Sequence, residues 1–515
     1  MVHDAVVVGL GPCGAVATAL LGQAGVTTVA FDKAHGVDDR PRALALDHEI
    51  LRVFQQVGLM HRIEEWIAPA TATEYYGVSG TLIRRMADVD PPYPLGYPPS
   101  VVFAQPAIED ALRTRLAELP SVTLSWGEEL VSLCQYEDHV SLVLRSEHGS
   151  QRELQARWVI GCDGATSTVR QLLNVDLEDL EFNEPWLVVD VLLNEAGLAK
   201  APAVSAQYCE PVRPCWYIIG VNGHRRWQFA IDPGEDPKSF ETPEVAWRLL
   251  SRWIAPSDGQ LLRHTAYRFR GLVANQWRRG RVIIAGDAAH QQPPYLGQGL
   301  CQGIRDVANL SWKLAAVLQH RWGSGLLDTY GAERRQHVKQ FTAQLKAIGR
   351  SVFDRDPDRA RARDARLLAE CGGVVPTERR QALQPRLTGG LISSIAHPAN
   401  GSLFPQPWLS AGGLRARFDD VVGCGWRLVL SDAAGEIDVP DVLAARLGVS
   451  RTRIGAHRDA IPELEGVLSD WFRRYGCSAA VVRPDHYVYG VVTSAADAAA
   501  LFAELEAATE AAYPV

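Results

Sequence analysis

Apolar positions along this chain follow two periods, and the switch between them outlines the fold. Short continuous runs rich in Val and Ile at residues 4–9, 27–31, 101–104 and 282–285 read as strands, those at 4–9 and 282–285 as buried ones. Helical spacing follows each kind of run: at 15–23, at 47–57 with Ile50, Leu51, Phe54 and Val57 on one face, at 107–119, and at 300–318 with Ile304, Val307, Leu310 and Leu314 in register. Strand and helix in alternation predict a parallel α/β sheet. Residues 121–144 alternate as two or three strands around the turn at Asp138. Residues 177–270 change texture: the segments 186–191, 215–219 and 227–231 are aromatic and alternate at period two, so they predict antiparallel strands, with a helix at 243–254. A helical region runs on to about Gly349, and the charged stretch 353–368 reads as a solvated helix because its charges nearly cancel. Beyond about residue 385, Pro and Gly punctuate a new pattern: strand 426–430, helix 440–447, a hairpin at 479–482 and 487–491, and helix 495–508. Four segments follow from these shifts: 1–175, 176–270, 271–385 and 386–515.

Composition narrows the class. With 515 residues, 47% apolar and 22% charged, the chain matches ordinary globular proteins and has ample core. Its formal charge of −8 leaves no basic footprint for nucleic acid. Nine scattered cysteines form no CxxC pair and no zinc spacing, which points to a reducing cytoplasm and to no metal. The apolar start lacks a basic cluster and is broken by Gly9, Gly11, Pro12 and Gly14, so neither a signal peptide nor a membrane span is expected.

Three stretches carry chemistry. The first is Gly9-Leu10-Gly11-Pro12-Cys13-Gly14, a GxGxxG between strand and helix, with Asp32 and Lys33 closing the next strand. Glycines there admit a tight turn and close pyrophosphate approach, and the acid reaches a ribose hydroxyl; the pattern binds a dinucleotide, either NAD or FAD. The second is RWVIGCDGATSTVRQL, where a strand ends at Gly161 to Gly164, around Asp163, and Ser167 and Arg170 follow at a spacing that starts a helix. The third is RGRVIIAGDAAHQQPPYLGQGLCQGIRDVANLSWKL. Its strand stops at Gly286-Asp287, putting a carboxylate at the carboxyl edge of the sheet, where it is a candidate to bind a cofactor hydroxyl. The turn Gly297-Gln298-Gly299 lets backbone N–H groups approach a planar ligand, and the helix it feeds favours negative charge there. In the aromatic segment, Tyr208, Arg213, Trp216, Tyr217, Arg226 and Trp227 are candidate linings of a substrate pocket, with Arg213 or Arg226 able to grip a carboxylate.

In that order and at those spacings, the motifs resemble the single-component FAD-dependent aromatic hydroxylases (class A flavoprotein monooxygenases). PPYLGQGLCQGIRDVANLSWKL is most similar to the 3-(3-hydroxyphenyl)propionate hydroxylase branch, and VVRPDHYVYG resembles a hairpin of the thioredoxin-like C-terminal domain of phenol hydroxylase relatives. The fold this implies is mixed α/β (α+β): a Rossmann-like FAD-binding domain in two parts (1–175 and 271–385), an inserted antiparallel substrate-domain sheet, and a thioredoxin-like C-terminal domain. By the same resemblance, Asp287 holds the FAD ribityl chain, while Pro294 and Gly297 to Gly299 line the flavin ring. Arg42 and Gln105 (from QPAIE, similar to QPxLE) touch FAD. Asp163 and Arg170 bridge its pyrophosphate region to the approach of the pyridine nucleotide. His48, Pro294 and Tyr217 are the candidate catalytic residues.

The implied activity is hydroxylation of a phenol, such as 3-(3-hydroxyphenyl)propionate, with FAD, NADH or NADPH, and O₂, through a flavin C4a-hydroperoxide. One GxGxxG and no second Rossmann unit imply transient binding of NAD(P)H. A homodimer is left open. Rival readings are a tailoring hydroxylase of a polyketide or other natural product and a noncatalytic FAD sensor; a flavin halogenase lacks its WxWxIP signature here.

Overall fold

The computed structural model describes residues 2–40 and 42–511, so the outer limits drawn from sequence at residues 1 and 515 lie outside the described residues. Its centre is a parallel sheet that takes in three of the four apolar runs, in the order Val282–Ile284, Gln151–Gly161, Val2–Val8, Thr28–Asp32, Val122–Trp126; the fourth, Ser100–Phe103, instead pairs antiparallel with Ala45–Asp47 and Ile67–Pro69 in a small separate sheet. A hairpin of Glu128–Gln135 and Val140–Ser146 folds onto the early part of the Gln151–Gly161 strand. Helices Pro12–Gln23 and Gly299–Leu318 pack against each other beside this sheet, and their apolar residues merge with its strands into one core. Among the described residues, no helix is long and apolar enough to cross a membrane.

A second sheet of nine strands stands against the first unit. Its long partners Leu177–Leu193 and Gly259–Ala274 pair antiparallel, and His224–Ala230, Cys215–Ile219 and Ser205–Tyr208 extend it. The sheet is wider than residues 176–270: Thr73–Tyr76 and Leu82–Ala87 join one side, and Thr377–Arg379 closes that edge. These strands come from segments read by sequence as FAD domain. Each is too short to show period-two alternation on its own, and pairing decides its place.

The charged stretch forms the helix Pro357–Glu370, but it is not wholly solvated. Ala360 and Arg363 are buried, Arg363 donates to the Cys209 carbonyl, and Asp364 accepts from the Val78 N–H. Near-cancelling charge therefore reflects local pairing against the nine-stranded sheet rather than exposure on all sides.

At the C-terminal end a four-stranded sheet runs Ser450–Arg453, Arg427–Leu430, Ala479–Val482, Val488–Val492. The first pair is parallel and the next two are antiparallel, with helices Asp441–Leu447, Val467–Tyr475 and Ala495–Ala511 between and after the strands. This is the thioredoxin-like arrangement. The tip of its Ala479–Val492 hairpin is driven into the unit built on the parallel sheet. Arg483 ion-pairs with Glu333 of the Asp328–Val352 helix at 2.7 Å, and Asn309 and Lys313 of the Gly299–Leu318 helix join the same buried cluster.

Candidate active site

One cavity of about 920 Å³ runs between the parallel sheet and the nine-stranded sheet, and all three motifs open onto it. At one end, the Val2–Val8 strand turns at Gly9, whose φ of +93° is a conformation L side chains avoid. A Cβ on Gly14 would stand 1.9 Å from the Gly9 carbonyl oxygen, so the helix can cross the turn only there. Gly11 faces open space, leaving backbone free to meet a ligand. Asp32 ends its strand, and its two oxygens accept from the Leu10 N–H (2.7 Å) and the Ala34 N–H (2.8 Å). Each carboxylate oxygen keeps a second lone pair for a hydroxyl donor. Lys33, Arg42 and Gln105 also line this end.

Gln105 is a brace as well as a lining residue. Its Oε1 accepts from the N–H groups of Arg42 (2.9 Å) and Ala43 (2.6 Å), and its Nε2 donates to Glu109, which fixes the turn carrying the Arg42 side chain. Asp163 lines the cavity while capping the short helix behind it, accepting from the Val169 N–H and the Ser167 hydroxyl. Arg170 is placed differently. It lies beneath the cavity wall and donates to the carbonyls of Ala288 and Ala165, both at 2.9 Å, so it ties the second motif to the third. Gly286 lies behind the wall, where a Cβ on it would stand 3.1 Å from the Cys13 sulfur. Asp287 beside it is open to the cavity but enclosed on its other sides by protein, and this desolvation raises its pKa.

Beyond Asp287, Pro293, Pro294, Leu296, Gly297, Gln298 and Gly299 line the middle of the cavity. Leu296 has φ +63°, a left-handed conformation that costs a residue with a side chain roughly 1–2 kcal/mol. The turn is held from behind. Tyr295 is fully buried, donates to Glu184 at 3.1 Å and stacks on Trp216 and Phe353. Arg305 donates to the Gln298 side chain at 3.1 Å, and Asp306 accepts from the Gly286 N–H (3.1 Å), His290 and Arg334.

The far end is walled by one face of the nine-stranded sheet, and the pleat decides which sequence candidates reach it. Trp216 pairs with Gln228 and Ile218 with Arg226, and all four line the cavity. Tyr217 pairs with Trp227, one residue out of phase, and both are buried on the opposite face with Leu187 and Phe229. Tyr217 donates there to the Pro202 carbonyl. Both therefore stand apart from the cavity, because neighbouring strand residues face opposite ways. Arg213 is also off the cavity, held by a two-pronged ion pair with Glu235 at 2.8 and 2.9 Å. Arg226 lines it, but its guanidinium grips Asp190 and donates to the Arg42 carbonyl at 2.8 Å, which locks the sheet to the Arg42 turn. His48 lies one layer behind the 294–299 turn, in a small recess with Leu296 and Gln298. Burial lowers its pKa to about 4, so it is neutral at ordinary pH.

Several lining or supporting residues gave no clear sequence signal. Arg305 and Asp306 lie in the quoted motif, where two charges on an otherwise apolar helix were the available sign of buried ion pairs. Arg263, Thr73 and Arg380 line the cavity from segments without a motif, and Gln292 lines it from within the third motif, where nothing in its residue type marked it.

Taken together, this cradle fits FAD: two helix N-termini and bare glycine backbone suit a pyrophosphate, Asp32 a ribose, and the flat turn at 294–299 a ring system. Residues 3–344 match the family described as FAD binding domain, and residues 401–508 match the HcaD C-terminal domain. A probable NADH-specific resorcinol 4-hydroxylase of Rhodococcus jostii is 36% identical, with 98% of this chain and 95% of that protein covered. A 3-(3-hydroxy-phenyl)propionate/3-hydroxycinnamic acid hydroxylase of Burkholderia vietnamiensis is 34% identical over 94% of this chain and 92% of its own. Among solved structures, aklavinone-11 hydroxylase with FAD and aklavinone shares the fold at a TM-score of 0.80 and 23% identity, with 99% of each chain covered. These matches, on a cavity shaped for the cofactor, establish that the chain belongs to the FAD-dependent aromatic hydroxylases.

Proposed function

We propose that this enzyme hydroxylates a single-ring phenol bearing a second anionic or hydroxyl group, of the resorcinol or 3-hydroxyphenylpropionate type, with NADH and O₂ as co-substrates. The observation that carries this reading is the charge of the sheet end of the cavity. Arg226, Arg263 and Arg380 line it with Trp216 and Phe269, and the carboxylate that Arg226 and Arg263 share, Asp190, has no exposed surface. A wall of that kind favours an aromatic anion. Size points the same way. About 920 Å³ is near the top of the ~300–1,000 Å³ range of small-molecule sites, and here it must accept a dinucleotide as well as a substrate. That leaves room for one ring more readily than for a polycyclic natural product.

When bound, FAD supplies the redox chemistry, taking hydride from the nicotinamide and activating O₂ for transfer of one oxygen atom to the ring. Asp32, Arg42, Gln105, Asp163 and Asp287 would hold it, together with the backbone of Gly11 and of Gly297 to Gly299. The guanidiniums of the sheet stabilise a phenolate over a phenol, and loss of that proton makes the ring a better nucleophile. Pro293, Pro294, Leu296 and Trp216 keep water from the reacting face. Nine cysteines without a disulfide support a reducing compartment.

The test is oxidation of NADH and NADPH by the purified yellow protein with resorcinol, 3-(3-hydroxyphenyl)propionate and a tetracyclic phenol, with product and H₂O₂ both quantified. Product formed in step with NADH for a single-ring phenol is expected. Stimulation by the tetracyclic phenol alone would sink the reading and favour a tailoring hydroxylase.

A further inference from the structure

The C-terminal domain reaches the flavin-side turn through a chain of four buried or half-buried side chains. Tyr487, in the inserted hairpin, donates its hydroxyl to Glu49 Oε1 at 2.8 Å. Glu49 Oε2 accepts from Arg305 Nε at 2.5 Å and from Gln384 Nε2 at 3.1 Å. Arg305 Nη1 then donates to Gln298 Oε1 at 3.1 Å, and its Nη2 donates to Asp47. Tyr487, Glu49 and Arg305 are 5%, 5% and 2% exposed, so the chain runs where water screens little.

From this we propose that Tyr487 is a positioning residue for flavin binding: its hydroxyl sets Glu49, Glu49 sets Arg305, and Arg305 sets Gln298 in the turn against the cofactor. The inference rests on the reading that the 294–299 turn lines the flavin.

Docking and alignment are separable here. Docking is supplied elsewhere, by the Arg483, Asp485, Glu333, Lys313 and Asn309 cluster and by the Arg52 pair to Asp419, which Arg427 braces from within the C-terminal domain. The Tyr487 hydroxyl donates to Glu49, which is not a member of that cluster. Removing it leaves one oxygen of a buried carboxylate without its donor, and Glu49 is then held only through its other oxygen, by Arg305 and Gln384. Arg305 sits two helical turns beyond Gln298 on the helix that the turn feeds, so a change in its rotamer is felt at the turn.

The experiment uses the full-length flavin-loaded enzyme and the variants Tyr487→Phe, Gln298→Ala and the double variant. FAD release is followed by flavin fluorescence after dilution, and backbone hydrogen exchange is read separately at 295–299 and 479–492. Tyr487→Phe is expected to raise the FAD dissociation constant several-fold and to speed exchange at 295–299 only, with the double variant no weaker than the weaker single one. Equal acceleration at 479–492, unchanged FAD release, or additive effects would overturn the proposal. If Gln298→Ala alone leaves FAD release unchanged, the reading of the turn itself fails. If only Tyr487→Phe is silent, the turn reading stands and the relay is wrong. Should Tyr487→Phe fold poorly, Glu49→Gln keeps the shape of the chain, removes its charge, and is judged by the same readouts.

Discussion

Arg483 and Glu333 meet at 2.7 Å with neither side chain exposed, one from the C-terminal hairpin and one from the longest helix of the FAD-binding unit. Burial pushes the Glu333 carboxyl up, yet Arg483 and Lys313 outweigh it and hold its pKa at about 2. Asp485 and Lys313 complete a group of two acids and two bases, which is close to neutral as a unit. Removing one member strands a charge. Glu333→Ala is therefore expected to destabilise the protein by about 3–5 kcal/mol, and exchanging Glu333 and Lys313 together for apolar residues by clearly less. Chemical denaturation checks both; equal losses would mean that the cluster does not act as a unit.

Stability should fall on the acid side in two steps. His48 has its pKa lowered by burial, from 6.5 to about 4. Between those values the unfolded chain takes up a proton that the folded one refuses, so stability is lost as pH falls through that window. The full effect is roughly 3 kcal/mol at 1.36 kcal/mol per pKa unit. Glu333 acts lower, between 4.5 and about 2, where its stabilising charge is neutralised. Buried His337 and His486 are shifted down by desolvation too and steepen the first step. Thermal unfolding against pH should show His48→Gln with a shallower decline than wild type between pH 6.5 and 4. Superimposable profiles would show that His48 is not held neutral.

Two glycines in one helix should respond oppositely to alanine. In most helix interiors Gly→Ala adds ~0.5–1 kcal/mol of stability, and Gly331 has room, since its Cβ would meet only Trp277 at 3.6 Å. At Gly349 the Cβ would stand 2.4 Å from the ring of Tyr295. Tyr295 cannot retreat, being stacked on Phe353 and Trp216 and bonded to Glu184. Gly349→Ala is thus expected to destabilise by ~1–3 kcal/mol through overpacking. It should also weaken FAD retention, because Tyr295 carries the turn that begins at Pro294. Melting temperatures and FAD content of the two variants test this; a stabilised Gly349→Ala would show that the ring is not confined.

How far the sequence reaches depends on which physical constraint decides each residue. Gly9, Gly14, Asp32 and the ends of the central strands were legible because backbone sterics and apolar period act locally. Trp216 and Tyr217, or Arg226 and Trp227, were not separable, because period two says that one of each pair faces the cavity without saying which. That choice is made by Leu177–Leu193 and by the helix Pro243–Leu250 covering the other face. Arg213 failed as a candidate for another reason. Its partner Glu235 lies across a turn, and nothing in the local pattern marks the pairing. The roles of Arg305 and Glu49 depend on residues more than 250 positions apart, which no local rule reaches.

Arg380 differs from the other arginines of the sheet end. Arg226 and Arg263 share Asp190. Arg380 donates to the Thr73 hydroxyl at 2.6 Å, its buried Nε has no hydrogen-bond partner, and among the described residues no carboxylate pairs with it. A guanidinium at a cavity wall without an acid is well placed to bind an anionic oxygen of a ligand. Arg380→Gln is expected to raise KM for 3-(3-hydroxyphenyl)propionate by ten-fold or more, and to change turnover of resorcinol, which has no carboxylate, by less than about three-fold. At ~1.4 kcal/mol per decade, that is the strength of one charge-assisted hydrogen bond. Arg380→Lys keeps the charge but loses the fork, so it should fall between the two. Steady-state kinetics on both substrates decide the matter. Equal losses on both would instead assign Arg380 to the phenolic oxygen, and no loss on either would leave it as a strap between Thr73 and the 380–383 turn.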